Sequence, residues 1–256
     1  MTERLLFRLA APLAAWGEIA VGEIRSSWPD PSKSAVLGVV AAALGITREE
    51  SRSHSALHQG LAFAVRVHEV AGSGKRSAPS RPLRDYHTAQ SPSARRGARW
   101  QTRADELSSG TDLNTILSER WYWQQFSATA ALSPLGSSAP PLEAIAEALR
   151  KPAFPLFLGR KSCPLARPLA PRIMLAKELA AAFRAYDQED AEKWLQLTDS
   201  DHDRPAAPVL GRSVWRDAEP GEIPRRHRRD AVRDRRVWTF DERGEVCVTL
   251  DDAGGA

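Results

Sequence analysis

Cysteine is nearly absent: Cys163 and Cys247 are the only two in 256 residues, far apart and without CxxC spacing. That excludes a disulfide framework and a cysteine zinc site, and it points to a reducing compartment, so the cytoplasm is the expected location. Lysine is also scarce. Only six of the 36 basic residues are lysine, which leaves 30 arginines. Arginine's planar fork suits bidentate phosphate contacts and stacking on bases, although a GC-rich coding sequence produces the same bias. No apolar run approaches the length of a spanning helix. The one stretch that imitates a signal peptide, Leu5 to Ala11, carries Arg8 at its centre and reads better as a first strand. No repeat of solenoid length recurs, and neither a GxSxG elbow nor a Rossmann GxGxxG is present.

What is present is a globular composition: 42% hydrophobic residues with eight Trp, seven Phe and three Tyr. The net charge of +4 and isoelectric point near 9.3 favour a polyanionic partner without establishing one.

The periodicity predicts a strand over 4–9, ended by Pro12 and Gly17, then an extended loop to Pro31. Ser32 is a candidate N-cap for a helix through the almost uniformly apolar run Ala35 to Leu44, which must be buried on most sides. A polar helix over 48–58 leads to a half-buried strand over 61–69, which completes a β-α-β unit. From Gly72 to about Ser109 apolar periodicity disappears. Between residues 72 and 104 stand Lys75, Arg76, Arg81, Arg84, Arg95, Arg96, Arg99 and Arg103 against a single acid, Asp85, with Tyr86 and Trp100 interleaved. A stretch this long is either functional or disordered. Further on, the pattern predicts a weak strand over 127–132 and an amphipathic helix over 142–149. A basic turn over 159–164, a helix over 172–186, an acidic patch over 187–203 that reads as a solvated face or connecting loop, and a closing hairpin of 237–240 with 245–250 follow. The arginine-rich segment 223–236 is free to face RNA, DNA or a protein neighbour.

Several motifs fail on inspection. Gly72-Ser73-Gly74-Lys75 lacks the earlier glycine and the following hydroxyl of a phosphate loop. His54 and His58 have helical spacing, but Ser55 stands where a zinc protease needs Glu, so they read as helix-surface histidines. Two places remain of interest. At Pro29-Asp30-Pro31-Ser32-Lys33-Ser34, backbone N–H groups, hydroxyls and an ammonium converge at a helix start, which either holds a phosphate or is an ordinary cap with Lys33 in water. Arg84-Asp85-Tyr86-His87-Thr88 gathers the side chains of metal-free RNA cleavage, yet alternate residues of an extended chain face opposite sides, so Tyr86 and His87 need not share a site.

Five blocks stand in a recognisable order: Leu6 to Gly17 (LFRLAAPLAAWG), Pro31 to Gly38 (PSKSAVLG), Ala43 to Ile46 (ALGI), Leu83 to Thr88 (LRDYHT) and Leu158 to Leu165 (LGRKSCPL). Together they resemble the fifth CRISPR-associated protein family, in its type I-E branch. The resemblance implies an α+β, ferredoxin-like or RRM-like RAMP fold, with 1–256 as a single palm domain and 72–120 as an inserted basic arm, or thumb. It implies a non-catalytic subunit of the Cascade effector that binds the 5′ handle of the CRISPR RNA (crRNA) and caps the backbone filament. Its partners would be crRNA, the backbone subunit CasC, the large subunit CasA, other Cascade subunits and, through the assembled complex, target DNA. No cofactor, metal or membrane is expected. The residues expected to contact RNA are Arg25, Lys33, Ser34, Arg84, Tyr86, His87, Trp100, Arg120, Arg160 and Lys161. The alternative is a metal-independent endoribonuclease that uses Tyr86 and His87 with Lys75 or Arg84, and a third possibility is an assembly wedge whose arm touches only protein.

Overall fold

The computed structural model describes residues 1–17, 20, 22–69, 80–92, 99–108, 112–136, 139–197, 210–234, 237 and 239–250. The phosphate-loop fragment at 72–75, with Lys75, Arg76, Arg95, Arg96, Arg235 and Arg236, lies outside them.

Strand β1 (Thr2–Ala14) is longer than its apolar core predicts, because Pro12 does not end it. Ala11 pairs with Phe126 and Leu13 with Gln124, while Gln125, opposite Pro12, turns to a φ of +50°, so the ladder steps over the missing donor and resumes. The expected loop to Pro31 holds three two-residue strands: β2 (Trp16–Gly17), β3 (Ile24–Arg25) and β4 (Ser27–Trp28), with β2 paired to β4. Helix α1 (Lys33–Ala43) starts as the sequence predicts, with the Ser32 hydroxyl accepting from the Ala35 N–H at 3.1 Å. Then come α2 (Ser51–Gly60) and β5 (Leu61–Val67).

Where apolar periodicity disappears, the described residues 81–92 and 103–108 are nevertheless regular. Strand β6 (Arg81–Pro92) pairs residue for residue with the first half of β7 (Leu113–Pro134), and α3 (Arg103–Ser108) lies between them in sequence. A two-stranded ribbon that buries neither face needs no apolar alternation, which is why the pattern fades while the backbone stays regular. The weak strand over 127–132 is the inner end of β7, which runs from the ribbon into the core.

Helix α4 (Leu142–Arg150) follows. The helix predicted over 172–186 divides into β8 (Arg172–Ala176) and α5 (Leu179–Leu197). The closing hairpin is displaced as well. After β9 (Ser213–Asp217) it consists of β10 (Arg226–Asp234) and β11 (Thr239–Thr249), and the expected turn 241–244 is paired strand opposite 227–231.

One nine-stranded sheet results, in the order β10-β11-β9-β5-β7-β1-β8, with β3 and β6 also pairing to β7. Among the seven strands of that path every described pairing is antiparallel. Leu5, Phe7 and Leu9 of β1, Phe63 of β5 and Leu132 of β7 pack under α1, α2 and α4 in one apolar cluster. Leu6, Ala64 and Ala131 face the opposite way against Phe183 and Tyr186 of α5. This alternation sends Arg8 and Arg66 to the α5 side, where the expected solvated acids wait. Asp187 and Asp190 are buried, with Arg8 at 2.9 Å from Asp187 and 3.0 Å from Asp190, and Arg66 at 3.0 Å from Asp187. Burial raises the Asp187 pKa, and Arg8, Thr129 and Arg66 act against that rise. Among the described residues, no helix is long and apolar enough to cross a membrane.

Candidate nucleic-acid interface

The ribbon register sorts the expected arm residues by face. Arg84 lies opposite Trp121 and Tyr86 opposite Glu119, whereas Asp85 lies opposite Arg120 and His87 opposite Ser118. Directly opposed residues share a face, so Arg84 and Tyr86 occupy one side and Asp85, His87 and Arg120 the other. Tyr86 and His87 are thus separated. Tyr86 is 58% exposed, Arg84 approaches Glu119 at 3.8 Å, and His87 Nε2 contacts the Asp85 carboxylate.

At the base of the ribbon, β3 adds a parallel pairing on the far side of β7, with Arg25 opposite Arg120. Arg160 reaches the same place from the basic turn. Its guanidinium donates to the Trp121 carbonyl at 3.2 Å and the Arg25 carbonyl at 3.3 Å, and it lies 4.5 Å from the centre of the Tyr122 ring. Gly159 makes this approach possible: its φ is +90°, and a Cβ there would sit 1.7 Å from the Ala15 carbonyl oxygen. Lys161 is exposed on the turn. Arg25, Arg120 and Lys161 form no ion pair among the described residues, although Asp85 stands directly opposite Arg120 on the ribbon. Trp100 is half-buried beyond β6.

At the helix start Ser32 caps as expected, but Lys33 is not in water. Lys33 is only 4% exposed, and its ammonium lies 3.0 Å from Asp217. The Ser34 N–H donates to Asp230 at 3.3 Å, so a carboxylate of the protein occupies the anion position at this helix end. To meet a phosphate, Lys33 would first have to release Asp217. The histidines of α2 are not on the surface either. His54 is buried on the Thr47 carbonyl at 3.0 Å, and His58 is half-buried, 3.2 Å from the Asp230 carbonyl. Burial, then the Lys33 charge, lowers the His58 pKa.

Alternate residues of the arginine-rich β10 also turn inward. Arg226 forks onto Asp30 and bonds Glu245, with its guanidinium 3.6 Å from the Trp215 ring centre. Arg228 bonds the Asp30 carboxylate at 3.2 Å and carbonyl at 3.0 Å, and Arg243 forks onto Asp230 with two 2.9 Å bonds. Burial opposes the Arg243 charge, but Asp230, Asp217 and Glu245 outweigh it and raise its pKa. The outward residues Arg229 and Arg233 keep only loose partners, each at 3.7 Å. Sequence reasoning missed Trp28, Phe157 and Phe240, which line a groove beside Arg160, because nothing in the local pattern links these three segments.

A mixed α/β protein with a long two-stranded ribbon rising from a large antiparallel sheet, and arginines at the foot of that ribbon, is the class so defined. The family model described as CRISPR-associated protein (Cas_Cas5) matches residues 4–243, and the chain belongs to that family. Among curated proteins, it is 36% identical over 169 residues to the CRISPR system Cascade subunit CasD of Escherichia coli strain K12, covering 66% of this chain and 70% of that one. Among solved structures, it is similar to a chain of a CRISPR RNA-guided surveillance complex, with a TM-score of 0.59 and 24% identity over 96% of this chain and 89% of the other. A structure titled as a Cas protein gives 0.56 and 23% over 96% and 94%.

Proposed function

We propose that the protein is the CasD-type subunit of a type I-E Cascade complex, grips the 5′ handle of the crRNA and caps the backbone filament without catalysing a reaction. The observation that carries this reading is the convergence of Arg25, Arg120 and Arg160 at the foot of the β6–β7 ribbon, with Lys161 exposed beside them. Phosphate contacts there would fix the strand's path, and exposed Tyr86 offers a stacking face for an unpaired base. The fold supports a ferredoxin-like palm: β1, β5, β7 and β8, with helices between first and second and between third and fourth, stand in the spatial order fourth, first, third, second. The ribbon then acts as the thumb, inserted over 72–120. The partners follow from the same reading: crRNA, CasC, CasA and the other Cascade subunits, with target DNA met in the assembled particle.

The test is a gel-shift series of the assembled complex on guides with intact and scrambled handles. Preference for the intact handle is expected, and equal affinity contradicts handle recognition. Cleavage of repeat RNA is the second reading, and the Asp85–His87 pair, a carboxylate oriented on an imidazole, is what favours it. Incubating the protein with precursor RNA in EDTA should leave the RNA intact, whereas cleavage that vanishes in His87→Ala would favour the enzyme.

A further inference from the structure

The two ends of the sheet are built differently. At one end, β10 carries two register shifts and turns Arg229 and Arg233 outward, and both features discourage another strand from pairing with it. At the other end, β8 pairs with Thr2–Leu6 of β1 without a bulge, and its residues Ile173, Met174, Leu175 and Ala176 are uncharged. Arg150 donates to the Pro171 carbonyl at 3.0 Å and Arg4 to the Ala176 carbonyl at 2.6 Å, which covers the strand at its two ends. No described strand pairs with the outer edge between them. An edge left in this state is a template for another strand.

Both faces beside the edge have room for one. Met174 and Ala176 face α5, where a groove of about 730 Å³ is lined by β8 and by the small residues Ala181 and Ala185, one turn apart on the helix. On the opposite face Ile173 joins the core, but Leu175 is 61% exposed.

We infer that β8 pairs with β8 of a second copy of this chain, antiparallel about a two-fold axis at Leu175, so that the two sheets become continuous. The charges select this occupant and this register. With Leu175 opposite Leu175, Met174 falls opposite Ala176, and Arg172 stands beside Glu178 of the second copy, twice by symmetry. Glu178 forms no ion pair among the described residues, and Arg172 keeps its contact with Glu189 of its own chain. Lys177 falls opposite Ile173 at the strand end, where its ammonium reaches water. A centre at Met174 would instead set Arg172 against Ala176, and a centre at Ala176 would set Leu175 against Lys177. The pairing leaves the arm base free. Leu5 of β1 lies opposite Ile173 on one side and Leu132 on the other, at the end of β7 remote from the ribbon.

The test is sedimentation of the full-length protein over about 1–300 μM, since a contact confined to one strand edge and one groove gives a dissociation constant on the order of tens of micromolar. The mass should rise from one chain towards two. Leu175→Lys puts like charges at the axis and should weaken association at least about tenfold. Cysteine variants check the register. Leu175→Cys should form a disulfide-linked dimer under mild oxidation, because position 175 meets itself, whereas Glu178→Cys should not, because the two sites stand roughly 20 Å apart. A single-chain mass throughout overturns the pairing, and so does a dimer that survives Leu175→Lys or crosslinks equally through position 178. A protein that stays monomeric alone, while the amides of 173–176 gain protection from hydrogen exchange only in the assembled Cascade, overturns the second copy and gives the edge to another subunit.

Discussion

The arm base and the C-terminal hairpin are both rich in arginine, yet the structure uses them in opposite ways. At the arm base, Arg25, Arg120 and Lys161 face outward and form no ion pair among the described residues. At the hairpin, Lys33, Arg226, Arg228 and Arg243 turn inward onto Asp30, Asp217, Asp230 and Glu245, with indole faces of Trp28 and Trp215 over the guanidinium groups. The number of cations is therefore a poor guide to a nucleic-acid surface. What separates the regions is whether acids distant in sequence return to neutralise them. Asp30 lies 196 positions from Arg226, and Lys33 lies 184 from Asp217.

The largest expected effect comes from breaking the inward cluster. Glu245→Ala leaves Arg226 and Arg243 short of a buried partner and should cost about 3–5 kcal/mol in urea unfolding. An unchanged midpoint would mean the hairpin cations are as solvated as those of the arm.

The α5 side of the sheet holds a second inward cluster with a pH signature. His68 is fully buried, bonded to the Thr129 hydroxyl at 2.9 Å and 3.6 Å from Asp187, with Arg66 two residues before it on β5, Arg8 on β1 beyond β7, and Asp190 on α5. Burial first, then the two guanidinium charges, pushes its pKa well below the usual 6.5. The unfolded chain takes up a proton near that value and the folded chain does not. The His68 contribution is therefore fully present above about pH 6.5 and is lost as the pH falls below it. The melting temperature of the wild type should drop more steeply between pH 7 and 5 than that of His68→Gln, and parallel curves would place the imidazole in contact with water.

The smallest effect belongs to the outward hairpin residues. Arg233→Ala, at an exposed pair 3.7 Å from Asp241, should shift stability by no more than about 0.5 kcal/mol in the same urea series, and a larger loss would join it to the buried set.

Local periodicity was enough to read α1, β5 and the buried half of β1, because each buries an apolar face of regular spacing. The ribbon was not legible, since neither of its faces is buried and Arg84, Tyr86 and Thr88 alternate with residues that are only partly covered. The acids of α5 were read as solvated because Arg8 and Arg66, which neutralise them, precede Asp187 by 179 and 121 positions. The candidate site was legible in its parts but not in its assembly. Arg25, Arg120 and Arg160 are brought together by the β3–β7 pairing and by the docking of the 159–164 turn, and neither leaves a local trace in the sequence. Lys33 shows the converse, a phosphate-like motif whose anion is Asp217.

The most direct measurement of the contrast is the salt dependence of RNA binding. For single-stranded RNA, the slope of log affinity against log salt changes by about 0.7 for each phosphate contact removed. The Arg25→Ala, Arg120→Ala double variant should therefore flatten the slope by about 1.4, while Arg233→Ala leaves it unchanged. An unaltered slope in the arm-base variant, or an equal change from the hairpin variant, would contradict the assignment of RNA binding to the foot of the ribbon.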